Sequence, residues 1–108
     1  MKAPLSTIMV KAKLRLKTTA EGGRQNGIKT GYRPNHIFEY EDNESLHSHI
    51  GEITFDDSEW IALGEERMVS VQFLYFPGLD KYLDVGRKWW IHEGQKVVGE
   101  AEIIEVLG

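Results

Sequence analysis

The sequence predicts an all-β protein folded as one small closed antiparallel β-barrel of about six strands. Three observations lead to this prediction. Several segments alternate apolar and polar residues with period two, short glycine-rich or polar turns separate them, and no segment has helical periodicity. The 108 residues suit a single domain, 1–108, that is long enough to bury a hydrophobic core.

The first predicted strand covers residues 8–17, where apolar and basic side chains alternate. Val10 and Leu14 belong to one face, and Lys11 and Lys13 belong to the other. Period two therefore directs the apolar set to the core and the basic set to solvent. Residues 18–33 follow as a long loop with four glycines, and a loop of this length in a compact domain is usually functional or disordered.

Three more strands are expected in the middle of the chain. Pro34 favours extended backbone at the residue before it, which suits a strand over residues 35–40. Residues 41–48 are acidic and polar and predict a surface turn, followed by a short strand over residues 50–55. Residues 68–76 alternate again, and Pro77-Gly78 ends that strand.

The last two predicted strands, residues 88–92 and 97–106, flank a Glu93-Gly94 turn. Trp89 and Trp90 are adjacent in the first of them, so their side chains point to opposite faces of the sheet. In the second, the neighbours at positions 103 and 104 are both isoleucine, which breaks the alternation. This break indicates either a β-bulge or a strand that is buried on both faces.

The net charge of −4 combines two unequal parts. Residues 1–33 hold eight Lys and Arg against one acid (+7), and residues 34–108 hold five against sixteen (−11). An acidic protein gains little from non-specific attraction to nucleic acid, so DNA is not an expected partner. The basic face of the first strand is either a stripe for an RNA backbone or simply a solvated surface.

The composition and the amino-terminal sequence indicate the cellular compartment of the protein. The chain has no cysteine, which excludes disulfides and thiolate metal sites and is compatible with a reduced, cytoplasmic setting. The amino-terminal residues hold no apolar stretch long enough for a signal peptide or a membrane span. The sequence therefore predicts a cytoplasmic protein with no membrane partner.

The sequence offers no convincing catalytic arrangement. The paired carboxylates Asp56-Asp57 lie in a turn, with nothing beside them in the sequence to shift their pKa values. His47 and His49 have the spacing of a metal pair, but zinc requires further ligands from other histidines or acids. We therefore predict a protein that is not an enzyme and that needs no metal or other cofactor.

Several short motifs, in their order and spacing, resemble the C-terminal domain (domain III) of translation elongation factor Tu. The resemblance covers roughly residues 8–108 and implies a small antiparallel β-barrel, here as a stand-alone domain. No G-x-x-x-x-G-K-[ST] phosphate loop occurs, so GTP binding and hydrolysis are not expected. The motifs that carry the resemblance are Glu21-Gly22-Gly23-Arg24, Gly31-Tyr32-Arg33-Pro34, Leu83-Asp84-Val85-Gly86, Ile91-His92-Glu93-Gly94 and Val97-Val98-Gly99.

The resemblance implies a translation-related binding module, with two alternatives for what it binds. The first is a protein partner or a second copy of the chain. Because the family has Phe at Trp89, we place Trp89 in the core and Trp90 outward. There Trp90 anchors an interface, serves as a base-stacking platform, or packs under a neighbouring loop.

The second alternative is tRNA or another structured RNA, since the family uses this region against the T-stem of aminoacyl-tRNA. The family's own residues are replaced at Gln25, Asn35, His92 and Lys96. The alternative to RNA binding is that the charged side chains of the loop are simply exposed to solvent. The candidate RNA contacts are Arg24, Gln25, Arg33, Asn35, His92, Glu93, Gly94 and Lys96.

Overall fold

The computed structural model describes residues 6–40 and 46–108. The strands of this part form a closed barrel in which every neighbouring pair is antiparallel, in the order β1-β4-β3-β2-β5-β6. The prediction of an all-β, closed six-stranded barrel is therefore confirmed. The strands are β1 (Thr7–Leu16), β2 (Asn35–Tyr40), β3 (Leu46–Thr54), β4 (Glu66–Leu74), β5 (Lys88–Glu93) and β6 (Lys96–Val106), with short 3₁₀ turns at Thr19–Glu21 and Leu79–Tyr82.

The core is built from the inward-facing residues that the alternation predicts. In β1 the alternate residues Val10, Ala12, Leu14 and Leu16 are fully buried, and the lysines between them are not. The indole of Trp89 is also fully buried, packed beside Phe38 at a ring-centroid distance of 5.2 Å, so its placement in the core is confirmed.

The break in alternation at Ile103 and Ile104 is a β-bulge. Ala12 pairs with Ile103 and Lys11 pairs with Glu105, which leaves Ile104 between two paired positions. Ile103 is fully buried whereas Ile104 is exposed, so the alternative of a strand buried on both faces is wrong.

Two strands, β3 and β4, begin two or more residues earlier than the sequence predicts, and the other predicted boundaries differ by at most two residues. β3 begins at Leu46, so His47 and Ser48 lie in a strand and not in the predicted turn, whose residues 41–45 are outside the described part. β4 begins at Glu66, two residues earlier than expected, because Leu14 and Arg15 of β1 pair with its first residues. Pairing along the whole of β1 extends β4 through residues that are too polar to be recognised as strand.

Because neighbouring strands are antiparallel, each connection between strands lies at one of the two ends of the barrel. Residues 17–34, 55–65 and 94–95 all lie at one end, which we call the glycine-loop end. Residues 75–87 run from β4 to β5 at the opposite end and pass by β3 and β2, because Tyr82 packs on Phe38 and His49 of those strands. We call this the crossover end; Leu79, Tyr82 and Leu83 are buried there. No helix in the described residues is long and apolar enough to cross a membrane.

Candidate functional site

The long glycine-rich loop is fixed to the barrel by backbone hydrogen bonds. Ile28 and Ile61 exchange two N–H···O bonds of 3.0 Å, and the Gly31 N–H donates to the Ile53 carbonyl at 2.8 Å. Gly27 lies so close to the second loop that a Cβ there would be 2.3 Å from the carbonyl oxygen of Ile61. Only glycine permits this approach, so the sequence of the loop specifies its contact with residues 55–65.

Three side chains connect the glycine-rich loop to the turn between β5 and β6 by an ion pair and a hydrogen bond. Arg24 forms an ion pair with Glu93, and the Tyr32 hydroxyl donates a hydrogen bond to the same carboxylate at 2.5 Å. The Arg24 guanidinium also lies 5.0 Å from the centre of the Tyr32 ring. Burial, followed by the Glu93 carboxylate, raises the pKa of the Tyr32 hydroxyl, which therefore remains a hydrogen-bond donor.

The structure brings most of the RNA-binding candidates to the glycine-loop end. Asn35 pairs with His92 across β2 and β5, and Glu93 pairs with Lys96 across the last hairpin. Gly94 has a φ of 61°, which the turn requires of it. Gln25, Asn35 and Lys96 are exposed, so they are the members of the set that are open to solvent without an ion pair among the described residues.

The two arginines of the candidate RNA set are each engaged by a carboxylate. Arg24 pairs with Glu93, and Arg33 reaches Glu52 on β3 with nitrogen–oxygen distances of 2.8 and 2.7 Å. Each positive charge is therefore partly neutralised before any ligand arrives. The sequence does not reveal this pairing, because the partners are far apart along the chain.

His92 is buried and not part of the exposed surface. Its side chain is only 2% exposed, and its Nε2 lies 2.7 Å from the Tyr40 hydroxyl. Its Nδ1 lies 3.3 Å from the Gly94 carbonyl oxygen. Burial, with a contribution from the charge of Lys17, lowers the pKa of His92 and favours the neutral ring. His92 therefore does not share an open surface with Lys96.

Trp90 lies on the outer wall of the barrel, as expected. It is half-buried, and its ring packs against Tyr40 of β2 at a centroid distance of 5.2 Å. Its cross-strand partner Ile37 lies between two residues that face the core, so the Ile37 side chain points outward. Even so, Ile37 is 0% exposed. A second apolar cluster therefore lies outside the barrel wall.

We call this cluster the outer aromatic face; it comprises Ile37, Tyr40, Trp90, His92 and Val97. Sequence reasoning missed Tyr40 and Ile37. A signal was present, since His36, Ile37 and Phe38 are three consecutive large side chains in one predicted strand. Such a run is typical of a strand that is buried on both sides.

A cavity of about 300 Å³ opens on the outer aromatic face. Arg15 on its rim bonds to Glu21 at 3.0 Å, whereas Lys17 makes no ion pair with any described residue. The Thr18 backbone N–H, followed by Arg15, lowers the pKa of Glu21 to about 2. The cavity thus combines two aromatic rings, the carboxylates of Glu21 and Glu100, and the Lys17 ammonium, which forms no ion pair with the described residues. Its lining includes Arg15, Lys17, Glu21, Tyr40, Trp90 and Val97.

The histidine pair on β3 does not assemble a metal site within the described residues. The rings of His47 and His49 stack at 5.3 Å, but no group of three or more His, Asp or Glu side chains in residues 6–40 and 46–108 is arranged to hold a metal ion. His36, the strand partner of His49, uses both ring nitrogens elsewhere: one accepts from Trp89 Nε1, and the other donates to the Gly51 carbonyl.

Comparison with known proteins adds no relative: no protein-family model matches the chain, and no curated protein matches it.

Proposed function

We propose that this chain is a non-catalytic binding module that docks a protein partner on its outer aromatic face. The observation that carries the proposal is the paired rings of Tyr40 and Trp90, which lie on the outside of a closed barrel. Tyr40 is 47% exposed although it packs on two other side chains. Tyr and Trp held rigidly at a surface are the residues that most often dominate the binding energy of protein interfaces.

The face extends beyond the two aromatic rings. Asn35 pairs with His92 on one side and with Ile50 on the other, so the strongly exposed Ile50 lies in the same row of outward positions. This row continues the apolar surface across β3, β2 and β5. Covering it with a partner removes apolar area from water, which contributes about 25 cal/mol per Å² before the costs of association.

The charges around the cavity define what the partner should present. An apolar or aromatic side chain fits against the packed rings of Tyr40 and Trp90, and a carboxylate beside it would face Lys17, which has no ion pair in the described part of the chain. We therefore expect a protein segment in which an aromatic or long aliphatic residue is followed by an acidic one. The resemblance to the elongation factor domain makes a protein of translation the first candidate.

The same structure gives less support to tRNA as the ligand. Arg24, Arg33 and Arg15 are each bonded to a carboxylate of the chain itself. A phosphate would have to displace that carboxylate, which reduces the electrostatic gain on which most affinity for nucleic acid depends.

The test compares the half-buried Trp90 with Trp60, which is the strongly exposed tryptophan among the described residues. Proteins captured from a native lysate by the wild type would be purified and titrated against the wild type, Trp90→Ala and Trp60→Ala. Trp60 is strongly exposed in the second loop of the glycine-loop end, so its substitution controls for the loss of any surface indole. We expect Trp90→Ala to weaken binding at least tenfold, or about 1.4 kcal/mol, and Trp60→Ala to leave it unchanged.

Two other results would decide against the proposal. If Trp90→Ala binds the purified partner as tightly as the wild type, the outer aromatic face is not the docking site. If total tRNA is shifted at micromolar protein in low salt and no protein partner depends on Trp90, the RNA alternative replaces this one. Light scattering of the free protein tests whether the partner is a second copy, in which case a concentration-dependent mass would fall in Trp90→Ala.

A further inference from the structure

A second cavity, at the crossover end, is unrelated to the outer aromatic face. It has a volume of about 360 Å³, within the ordinary range of small-molecule sites, and the mouths of β-barrels are a common place for such sites. One wall is the start of β3, and the other is the connection that crosses from β4 to β5. Its lining includes His47, His49, Phe76, Pro77, Lys81 and Tyr82.

The floor of this groove is rigid. The Tyr82 ring stacks on Phe38 of the core with centroids 4.9 Å apart and an interplanar angle of 9°. The Arg87 guanidinium lies 5.0 Å from the centre of the same ring, and Leu79 is fully buried beside the crossing. Gly78 permits the sharp entry into this segment because its φ of 97° is unfavourable for other residues. The groove is therefore preformed.

His49 provides the observation that points to a ligand. It is 7% exposed and packs edge-on against Phe38 and Tyr82, yet its ring nitrogens make no hydrogen bond with any described residue. The other two buried histidines, His36 and His92, each have partners for both nitrogens. The His49 imidazole therefore has hydrogen-bonding capacity that the described residues leave unused.

This unused capacity is directed to the groove, where a ligand could take it up. Within the described residues, no side-chain nitrogen or oxygen is sealed from solvent without a hydrogen bond, so the His49 nitrogen that lacks a protein partner opens on the cavity it lines. Burial, followed by the charges of His47 and Lys81, lowers the pKa of His49. The ring is therefore neutral near pH 7 and offers one N–H donor and one acceptor.

Lys81 decides the charge of the ligand. Its ammonium nitrogen lies 4.9 Å from the centre of the Tyr82 ring and has no ion pair among the described residues. The neighbouring Asp80 is engaged by the Tyr75 hydroxyl at 2.7 Å. A cationic ligand would be repelled here, and a wholly apolar ligand would leave both Lys81 and His49 without partners. A carboxylate satisfies both groups.

The remaining walls decide the shape of the ligand. Phe76 and Pro77 are exposed on the rim, and the floor is the ring of Tyr82. Flat aromatic surfaces favour an offset-stacked or edge-to-face aromatic ring. We propose that the groove binds a small aromatic carboxylic acid, whose ring packs against the exposed Phe76 and whose carboxylate meets Lys81 and the His49 N–H.

The test uses 2-naphthoate and its neutral analogue 2-naphthylmethanol, each titrated into the ¹⁵N-labelled full chain and followed by amide chemical shifts. We expect saturable shifts confined to residues 47–49 and 76–82, with a dissociation constant for naphthoate on the order of 1 mM. The alcohol should bind at least tenfold more weakly because it leaves the ammonium unpaired.

Two variants separate the acid site from a merely apolar one. Lys81→Met keeps the stem of the side chain and should abolish the preference for naphthoate, whereas Lys96→Met removes an exposed lysine at the opposite end and should not change it. His49→Phe should weaken naphthoate at least fivefold. If His49→Phe does not fold, Lys81→Met alone decides.

Three outcomes would overturn the inference. One is the absence of saturable shifts up to roughly 10 mM naphthoate, about ten times the expected dissociation constant. Another is equal affinity for the acid and the alcohol. The third is a set of shifts at the glycine-loop end or around Trp90, which would place the ligand elsewhere. None of these results bears on the docking of a protein at the outer aromatic face.

Discussion

The buried histidine of β2 should make the stability of the barrel depend on pH. The Nδ1 of His36 accepts a hydrogen bond from Trp89 Nε1 at 3.0 Å, and its Nε2 lies 3.0 Å from the Gly51 carbonyl oxygen. Protonation would place a hydrogen on Nδ1, directly against the indole N–H. His36 is fully buried, and burial lowers its pKa from 6.5 to about 4, with His49 adding to the effect.

The size of the effect follows from the two pKa values. The difference of 2.5 units between 6.5 and about 4 corresponds to about 3.4 kcal/mol, since one unit is about 1.36 kcal/mol. The unfolded chain takes up the proton below pH 6.5, and the folded chain does so only near pH 4. Stability is therefore complete above the unfolded pKa and is lost as the pH falls towards the folded pKa. Between pH 7 and pH 4.5 the expected loss is about 2.4 kcal/mol.

The assay is urea unfolding followed by tryptophan fluorescence at pH 7 and pH 4.5. The lowered pKa values of His49 and His92 act in the same direction, so the wild type should lose at least the amount calculated for His36. His36→Gln keeps an acceptor for Trp89 and should lose about 2 kcal/mol less than the wild type over this interval. His47→Gln, which replaces an exposed histidine and leaves His36 in place, is the matched control and should keep the loss calculated for His36. An equal loss in His36→Gln and the wild type would refute the reasoning.

Three further predictions concern the loop and the outer face. Gly27→Ala should destabilise the fold by about 2–3 kcal/mol in thermal or urea unfolding, since its Cβ would lie 2.3 Å from a backbone oxygen; unchanged stability would contradict the close approach. Glu93→Gln should lower the free energy of unfolding by about 1 kcal/mol, because it removes the carboxylate that pairs with Arg24, and it should speed proteolysis within residues 22–31. An unchanged cleavage rate would show that this ion pair does not hold the loop. Ile37→Ala should lower the free energy of unfolding by about 2–4 kcal/mol, although the Ile37 side chain lies outside the barrel wall. Ile50→Ala on the same face should change it by no more than about 0.5 kcal/mol. Equally small losses in both variants would show that the outer cluster adds no stability.

The parts of the fold that could be predicted from the sequence are those that depend on local periodicity. The alternation in β1 assigned every inward residue of that strand, and two adjacent isoleucines located the bulge in β6. Trp89 and Trp90 were separated by the same rule, because neighbours in a strand cannot face the same side. These statements need no knowledge of which strands are neighbours.

The rest required the closed topology. β3 extends back to Leu46 through polar residues because β2 is long enough to pair with them. Ile37 is covered from outside because Tyr40 and Trp90 belong to adjacent strands, a fact that no single segment contains. The groove at the crossover end exists because the β4–β5 connection passes by β3 and β2, which depends on strand order and not on composition.

The charge asymmetry of the sequence takes on a different meaning once the strands are in register. Lys11, Lys13 and Arg15 of β1 pair in order with Glu105, Glu102 and Glu100 of β6. On the other side of β1, the Lys13 ammonium lies 3.6 Å from Glu66 of β4. The basic face of β1 is therefore interleaved with acids from both neighbours and is not an open stripe for a nucleic-acid backbone.

This arrangement also helps to close the barrel. The β1–β6 seam joins the first strand to the last, so its loop-closure cost is high and its register must be specified. Opposite charges at three successive outward positions each contribute roughly 0.2–1 kcal/mol to the aligned register. A shift of two residues keeps the apolar face inward but removes at least one of these pairs. The bulge at Ile104 has the same effect, because it sets Glu105 opposite Lys11 while Ile103 remains in the core. The basic first third and the acidic remainder of the chain thus act together as a register signal for the seam.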